Sequence, residues 1–84
     1  MYVVYILKCG DGTLYTGIAT DIDTRLAQHR AGTGAKYTRG RGPITLVYSE
    51  RHPDRSSATK RERQIKGQRR SEKLQLIRGS SSVG

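Results

Sequence analysis

Residues 2–18 read Tyr2-Val3-Val4-Tyr5-Ile6-Leu7-Lys8-Cys9-Gly10-Asp11-Gly12-Thr13-Leu14-Tyr15-Thr16-Gly17-Ile18, and the fold turns on how this stretch doubles back. Residues 2–8 are β-branched and aromatic, and apolar on both sides of a pleat. That pattern predicts a central strand covered on both faces. Gly10-Asp11-Gly12 marks a tight hairpin turn, and residues 13–18 return as the second strand. A two-residue Asp11-Gly12 loop would pair Leu7 with Thr16 and send Tyr5 and Tyr15 to opposite faces. A three-residue Gly10-Asp11-Gly12 loop pairs Leu7 with Tyr15 and puts both tyrosines on one face. The second form wants a left-handed glycine at its end, and Gly12 supplies it, so the three-residue loop is expected. Gly17 lies two residues beyond Tyr15 on the same face. Glycine inside a strand weakens it unless something approaches closely, and a phosphate or a metal-bound water fits that description.

Beyond the hairpin, Thr20 or Asp21 can cap a helix running to about Arg30, with Asp21 and Asp23 suiting its positive end. Residues 31–42 are glycine-rich and basic, so a loop is expected, with one irregular turn near residues 35–37. Pro43 opens a third strand from Ile44 to Tyr48, with Ile44, Leu46 and Tyr48 on one face. His52-Pro53-Asp54 breaks the chain. Ser56 or Ser57 caps a second helix running to about Gln68. Ser71 can cap a third, packed through Leu74 and Ile77. The order β-β-α-β-α-α predicts a single α+β domain over residues 1–78, a three-stranded antiparallel sheet flanked by helices. Residues 79–84 have the composition of a flexible tail.

Composition narrows the function. Sixteen Lys and Arg against seven Asp and Glu give a net charge of +9 over 84 residues. Such an excess attracts polyanions, and nucleic acid is the default partner. A membrane surface would need an amphipathic helix with a bulky apolar face, which is missing. A chain this short buries only about 60–65% of its unfolded surface, so a substrate is expected across a shallow face. The single cysteine, Cys9, excludes an internal disulfide and a cysteine-built zinc site. It reads as a small apolar filler in a protein suited to a reducing cytoplasm.

Polar residues in apolar positions mark the candidate site. On the first helix Ile22, Leu26 and His29 share a face at i, i+4, i+7. Taken alone, His29 is more simply a core histidine bonded to a backbone carbonyl. Arg25, one turn earlier on the edge of that stripe, makes with it a pair able to grip a phosphate. On the second helix Ala58, Glu62 and Ile65 fall on one face. A carboxylate in the middle of that stripe needs a cation, either a neighbouring arginine or a metal ion. Mg²⁺ often uses only one or two carboxylates with waters and substrate phosphate, so one glutamate suffices.

Taken in order, these residues resemble the GIY-YIG nuclease superfamily, in particular its small stand-alone bacterial members. Val3-Val4-Tyr5 stands where the family name has Gly-Ile-Tyr, and Tyr15-Thr16-Gly17 is similar to the second motif. Nine residues separate them. Arg25 and His29 resemble the family's Arg-x-x-x-His, and Glu62 falls where the family carries its metal-binding glutamate. The resemblance covers about residues 2–78. Some family enzymes also use an asparagine after the glutamate, whereas this chain has no Asn. The resemblance implies an endonuclease that hydrolyses DNA phosphodiester bonds with one Mg²⁺ or Mn²⁺ ion. Tyr5 would deprotonate or position the attacking water, aided by positive charge from Arg25, the metal or Lys36. Tyr15 would orient the water or the phosphate. Arg25 would stabilise the charge developing on phosphorus-bound oxygens, His29 would assist proton transfer or hold the phosphate, and Glu62 would hold the metal.

Ten of the basic residues lie between Arg51 and Arg78. Lys36, Tyr37, Arg39 and Arg41 on the basic loop, with Gly17, Lys66 and Arg69, are the expected nucleic-acid contacts, flanked by Lys60, Arg61, Arg63, Arg70 and Lys73. Phosphate contacts carry no sequence information, so structure- or end-dependent cutting is expected, of DNA or of RNA. Two alternatives remain at this point: a non-catalytic nucleic-acid binder, and a subunit that needs a protein partner, which an exposed apolar patch around Leu74, Leu76 and Ile77 would mark. A monomer is the simplest assembly.

Overall fold

The computed structural model describes residues 1–32, 40 and 42–81, the last two as backbone only. The turn sets the register of everything else. The Gly12 N–H donates to the Cys9 carbonyl at 2.9 Å, and the Cys9 N–H donates to the Thr13 carbonyl at 2.9 Å. Gly12 sits at φ +86°, left-handed backbone that a side chain would strain. The Asp11 carboxylate accepts from the Thr13 N–H and hydroxyl. This is the three-residue loop, and β1 (Tyr2–Lys8) pairs antiparallel with β2 (Leu14–Ala19) so that Leu7 faces Tyr15 and Tyr5 faces Gly17.

The elements follow the expected order, with α1 (Ile22–Ala31), β3 (Thr45–His52), α2 (Arg55–Lys66) and α3 (Arg70–Ser81). β1 is central in an antiparallel sheet ordered β2-β1-β3. Its odd-numbered side chains face α1: Tyr5, Leu7 and Cys9 are buried with Ala19 and Ile44, and Ile22, Leu26 and Leu46 pack against them. Its even-numbered side chains face α2 and α3: Val4 and Ile6 are buried with Ala58 and Ile65, against Leu76 and Ile77. Val4, Ile6 and Ile65 are fully buried, each stabilising the fold by about 1.5–3 kcal/mol, which fixes α2 to the sheet. The fold is thus an α+β domain, with helices on both sides of its sheet.

Four details differ from the sequence expectation. β3 begins at Thr45 and runs on to His52. It also changes register against β1 between Ile6 and Leu7, where Leu7 pairs with Leu46 but Ile6 with Tyr48. Val47 is the extra residue of a bulge. Tyr48 therefore packs toward α2 and α3, whereas Ile44 and Leu46 face α1. The expected shared face of Ile44, Leu46 and Tyr48 is broken by that one residue. Asp54, not Ser56 or Ser57, caps α2, its carboxylate accepting from the Ser57 N–H at 2.8 Å. The helix therefore begins at Arg55 and ends at Lys66. α3 begins at Arg70 rather than after Ser71, with the Glu72 carboxylate reaching back to the Arg69 N–H at 3.0 Å. It packs through Leu76 and Ile77, not Leu74, and its backbone stays helical to Ser81.

Among the described residues Met1 is the exposed large hydrophobic, so the apolar patch expected of an adaptor is not formed by Leu74, Leu76 and Ile77. No helix among them is long and apolar enough to cross a membrane.

Candidate functional site

Three elements meet at the free edge of β2. α1 approaches from one face of the sheet and α2 from the other, and between them lies a cleft of about 520 Å³. Its walls are polar: Tyr5 and Tyr15 from the hairpin, Arg25 from α1, and Glu62 from α2, with Gly17 at the edge. These are five of the positions singled out in the sequence. The two tyrosine rings are 6.4 Å apart, centroid to centroid, as the three-residue turn requires.

Tyr5 belongs to the buried core, yet its phenol reaches the cleft by lying across Gly17. A Cβ on Gly17 would stand 2.6 Å from the Tyr5 hydroxyl oxygen. The close approach anticipated at Gly17 is therefore made by Tyr5 itself. The glycine is a gap through which the phenol passes to the sheet edge.

His29 is the sixth member. It is 2% exposed, on the buried face of α1, and its Nε2 lies 2.9 Å from the Tyr5 hydroxyl. Its ring is 5.3 Å from that of Tyr15. Asp21 caps α1, accepting from the Asp23 and Thr24 N–H groups, and this fixes the helical phase that turns His29 inward and Arg25 toward the cleft. His29 is thus a buried histidine whose Nε2 meets the hydroxyl of a site residue.

Burial, first of all, and the neighbouring Tyr15 push the Tyr5 phenol up to about 12; the charge of Arg25 opposes this and that of Glu62 adds to it. Tyr5 is therefore a protonated phenol at neutral pH. His29 moves the other way: burial, then the charge of Arg25, holds it below its ordinary value. It is a neutral imidazole at neutral pH. The two groups form an uncharged pair sharing one hydrogen bond. Arg25 is exposed, and its guanidinium has no hydrogen-bond or ion-pair partner among the described residues.

Glu62 has one cation beside it. The Lys66 ammonium lies 3.3 Å from its Oε2, one helical turn away, on a lysine side chain that is 54% exposed. Such a pair is weak, worth a few tenths of a kcal/mol, and a divalent ion would displace it readily. Lys66, expected as a phosphate contact, is thus occupied with the carboxylate. No group of three or more His, Cys, Asp or Glu side chains converges among the described residues. A cation here would rest on Glu62 alone, an arrangement that suits Mg²⁺ or Mn²⁺ completed by water and phosphate oxygens.

The remaining expected contacts divide. Arg69 is exposed and does not line the cleft; its backbone N–H is held by Glu72. Lys36, Tyr37, Arg39 and Arg41 lie outside the described residues. Conversely, the cleft is also lined by Tyr2, Arg55 and Thr59, which sequence reasoning missed. A signal existed: Arg55, Thr59 and Glu62 are spaced i, i+4, i+7 on one helical face. Placing the cap at Ser56 or Ser57 cut Arg55 off the helix and hid it.

The chain is 51% identical over 75 residues to a UPF0213 protein of Streptococcus sanguinis, covering 89% of this chain and 86% of that one. It is 50% identical over 76 residues to a UPF0213 protein of Natronomonas pharaonis, covering 90% and 89%. The solution structure of a UPF0213 protein from Bacillus halodurans superposes with a TM-score of 0.60 at 47% identity, over 92% of this chain and 83% of that one. A second solution structure, from E. faecalis, gives 0.65 at 38% identity over 95% and 85%. Residues 1–75 match the GIY-YIG catalytic domain. With its two tyrosine motifs converging on one cleft, the chain belongs to the GIY-YIG nuclease domain family.

Proposed function

We propose that this protein is a metal-dependent endonuclease that hydrolyses DNA phosphodiester bonds at the β2-edge cleft. The observation that carries the reading is the 2.9 Å hydrogen bond between Tyr5 and His29 in the wall of a cleft that also holds Arg25 and Glu62. A phenol near 12 cannot act as a base by being ionised beforehand. It can act as a relay. With His29 in the tautomer protonated at Nδ1, the Tyr5 hydroxyl donates to His29 Nε2, which leaves an oxygen lone pair facing the cleft. A water bonded there attacks phosphorus and passes a proton to Tyr5, Tyr5 passes its own to His29, and the P–O3′ bond breaks as the 3′ oxygen leaves. The imidazole is suited to this because it starts neutral.

Tyr15 orients the water or the scissile phosphate. Arg25, which has no hydrogen-bond or ion-pair partner among the described residues, neutralises the charge that builds on the non-bridging oxygens. Glu62 holds the divalent cation, which supplies charge neutralisation at the leaving 3′ oxygen when bound. GIY-YIG nucleases generally use such ions. The chain carries +9, so phosphate contacts dominate affinity and cutting depends on DNA structure or ends more than on sequence.

The test is a nicking assay on branched, nicked, single-stranded and duplex DNA, with Mg²⁺ or Mn²⁺ and with chelator. Glu62→Ala abolishes metal-dependent nicking while retaining DNA binding. Undiminished nicking by that variant overturns the assignment. Binding without any nicking by the wild-type protein on the whole panel turns the reading toward a non-catalytic binder.

A further inference from the structure

The cleft is longer than the chemistry needs. Tyr2, Arg55 and Thr59 line it as well as Tyr5, Tyr15, Arg25 and Glu62, and Arg55 lies at the start of α2. Arg55 and Glu62 are seven residues apart on α2, so they stand about 10 Å apart along the helix axis. A nucleic-acid strand rises about 3.4 Å per phosphate, so that span corresponds to a few nucleotide steps, less the reach of the arginine side chain.

The chemistry around Arg55 is that of an anion site. Arg55 is exposed and, like Thr59, has no polar partner for its side chain among the described residues. Of the charged side chains lining the whole cleft, two are arginines and one is a glutamate, and that glutamate already meets Lys66. Elsewhere on α2 the arginine at 61 is committed to Glu50 and Gln64. Among the described residues Arg55 is left with its donors unspent, one helical turn from the Thr59 hydroxyl, in a cleft that Tyr2 also lines.

We infer that Arg55 and Thr59 form a second phosphate subsite, which holds a phosphate flanking the scissile one on the same strand. The inference rests on the nuclease reading for the position of the scissile phosphate. It adds a direction: the bound strand runs along α2 from Glu62 toward the helix start. The guanidinium takes two phosphate oxygens and the Thr59 hydroxyl donates to one of them. Tyr2 offers a face to the sugar or base between the two phosphates.

The experiment measures DNA binding without turnover, in chelator, across a salt series, for wild type, Arg55→Ala, Arg55→Lys and Arg51→Ala. Arg51 is exposed on β3, at the opposite edge of the sheet, and its loss removes the same charge. Arg55→Ala lowers the slope of log affinity against log salt by about 0.7–0.9, Arg55→Lys keeps it, and Arg51→Ala leaves it at the wild-type value. Substrates carrying a single uncharged methylphosphonate at successive linkages around the mapped cut then locate the contact. One flanking linkage, neutralised, weakens binding by wild type and has no effect on Arg55→Ala. Equal slopes for Arg55→Ala and Arg51→Ala, or identical methylphosphonate profiles for wild type and Arg55→Ala, overturn the subsite. The Arg55 salt signature in a protein that never nicks DNA would instead sink the nuclease reading and leave the subsite standing. Circular dichroism melts confirm that each variant is folded.

Discussion

Two clusters in this molecule are assembled from the same four side-chain types, and they are put together in opposite ways. Between β3 and α2, Glu50 accepts hydrogen bonds from Tyr48 at 2.7 Å and Arg61 at 2.9 Å, and its other oxygen lies 2.7 Å from His52 Nε2. Burial alone would raise this carboxylate; the bonds from Arg61, Tyr48 and His52 outweigh it and hold Glu50 below the ordinary range. At the β2 edge, Tyr5 and His29 bond to each other, and among the described residues Arg25 meets no hydrogen-bond or ion-pair partner and Glu62 meets an exposed lysine. The first cluster uses its hydrogen-bonding capacity internally. The second leaves part of it aimed at a cleft. A tyrosine, a histidine, an arginine and a glutamate in proximity are therefore no evidence of catalysis; unspent donors and acceptors around open space are.

The widest separation between the clusters comes from truncating one member of each. Arg25→Ala removes a charge that has no hydrogen-bond or ion-pair partner among the described residues. It is expected to slow nicking by about 10²–10³-fold, the usual loss for one transition-state donor, with the melting temperature unchanged. Glu50→Ala does the reverse. It leaves Tyr48 and Arg61 without their acceptor and costs about 1–3 kcal/mol, which lowers the melting temperature by several degrees or more, with nicking intact well below the transition. Thermal melts and single-turnover nicking on the same preparations check both. Equal effects of the two substitutions on stability would erase the distinction drawn here.

The hairpin register was legible because one glycine decides it: Gly12 must be left-handed, so the loop has three residues and both tyrosines share a face. The α1 stripe was legible because its period is helical and Asp21 fixes its start. The face of Tyr48 was not, since the Val47 bulge is set by pairing with β1 and leaves no local mark. Nor was the commitment of His29 to Tyr5, a bond across 24 residues of sequence. Arg55 was lost through a cap misplaced by two or three residues. Local rules gave the elements and the chemical types; what each polar group binds depends on packing between elements, which periodicity does not encode.

Gly17→Ala sharpens the comparison at the level of backbone. The added methyl would overlap the Tyr5 hydroxyl and ring, so Tyr5 must swing away from His29. The expected cost is about 1–3 kcal/mol of stability together with a large loss of nicking. Gly67→Ala, where the nearest atoms to an added Cβ are 3.6 Å away, is the companion control with neither effect. Loss of the Tyr5–His29 hydrogen bond would be read from the Tyr5 hydroxyl and His29 imidazole NMR signals.

The smallest effect near neutrality, and the one that separates the clusters by pH alone, comes from their opposite burdens of charge. His29 is held below its ordinary value of 6.5, chiefly by burial. A group whose folded value is depressed in this way binds its proton less readily folded than unfolded. Its contribution is thus fully present above about 6.5 and declines as pH falls below it. Nicking, which needs the neutral imidazole as proton acceptor, is level from pH 8 down to 6.5 and falls on the acid side with an apparent value under 6.5. Tyr5, near 12, adds no alkaline limb in the working range. Glu50, held below 4.5, keeps its contribution to stability until pH drops under about 4.5. Below about pH 6.5 the protein is expected to lose activity, while its melting temperature declines only by the His29 share and the Glu50 cluster holds until pH drops under about 4.5. A pH–rate profile and melts in the same buffers test this, and an activity loss that tracked unfolding point for point would deny His29 its place in the proton path.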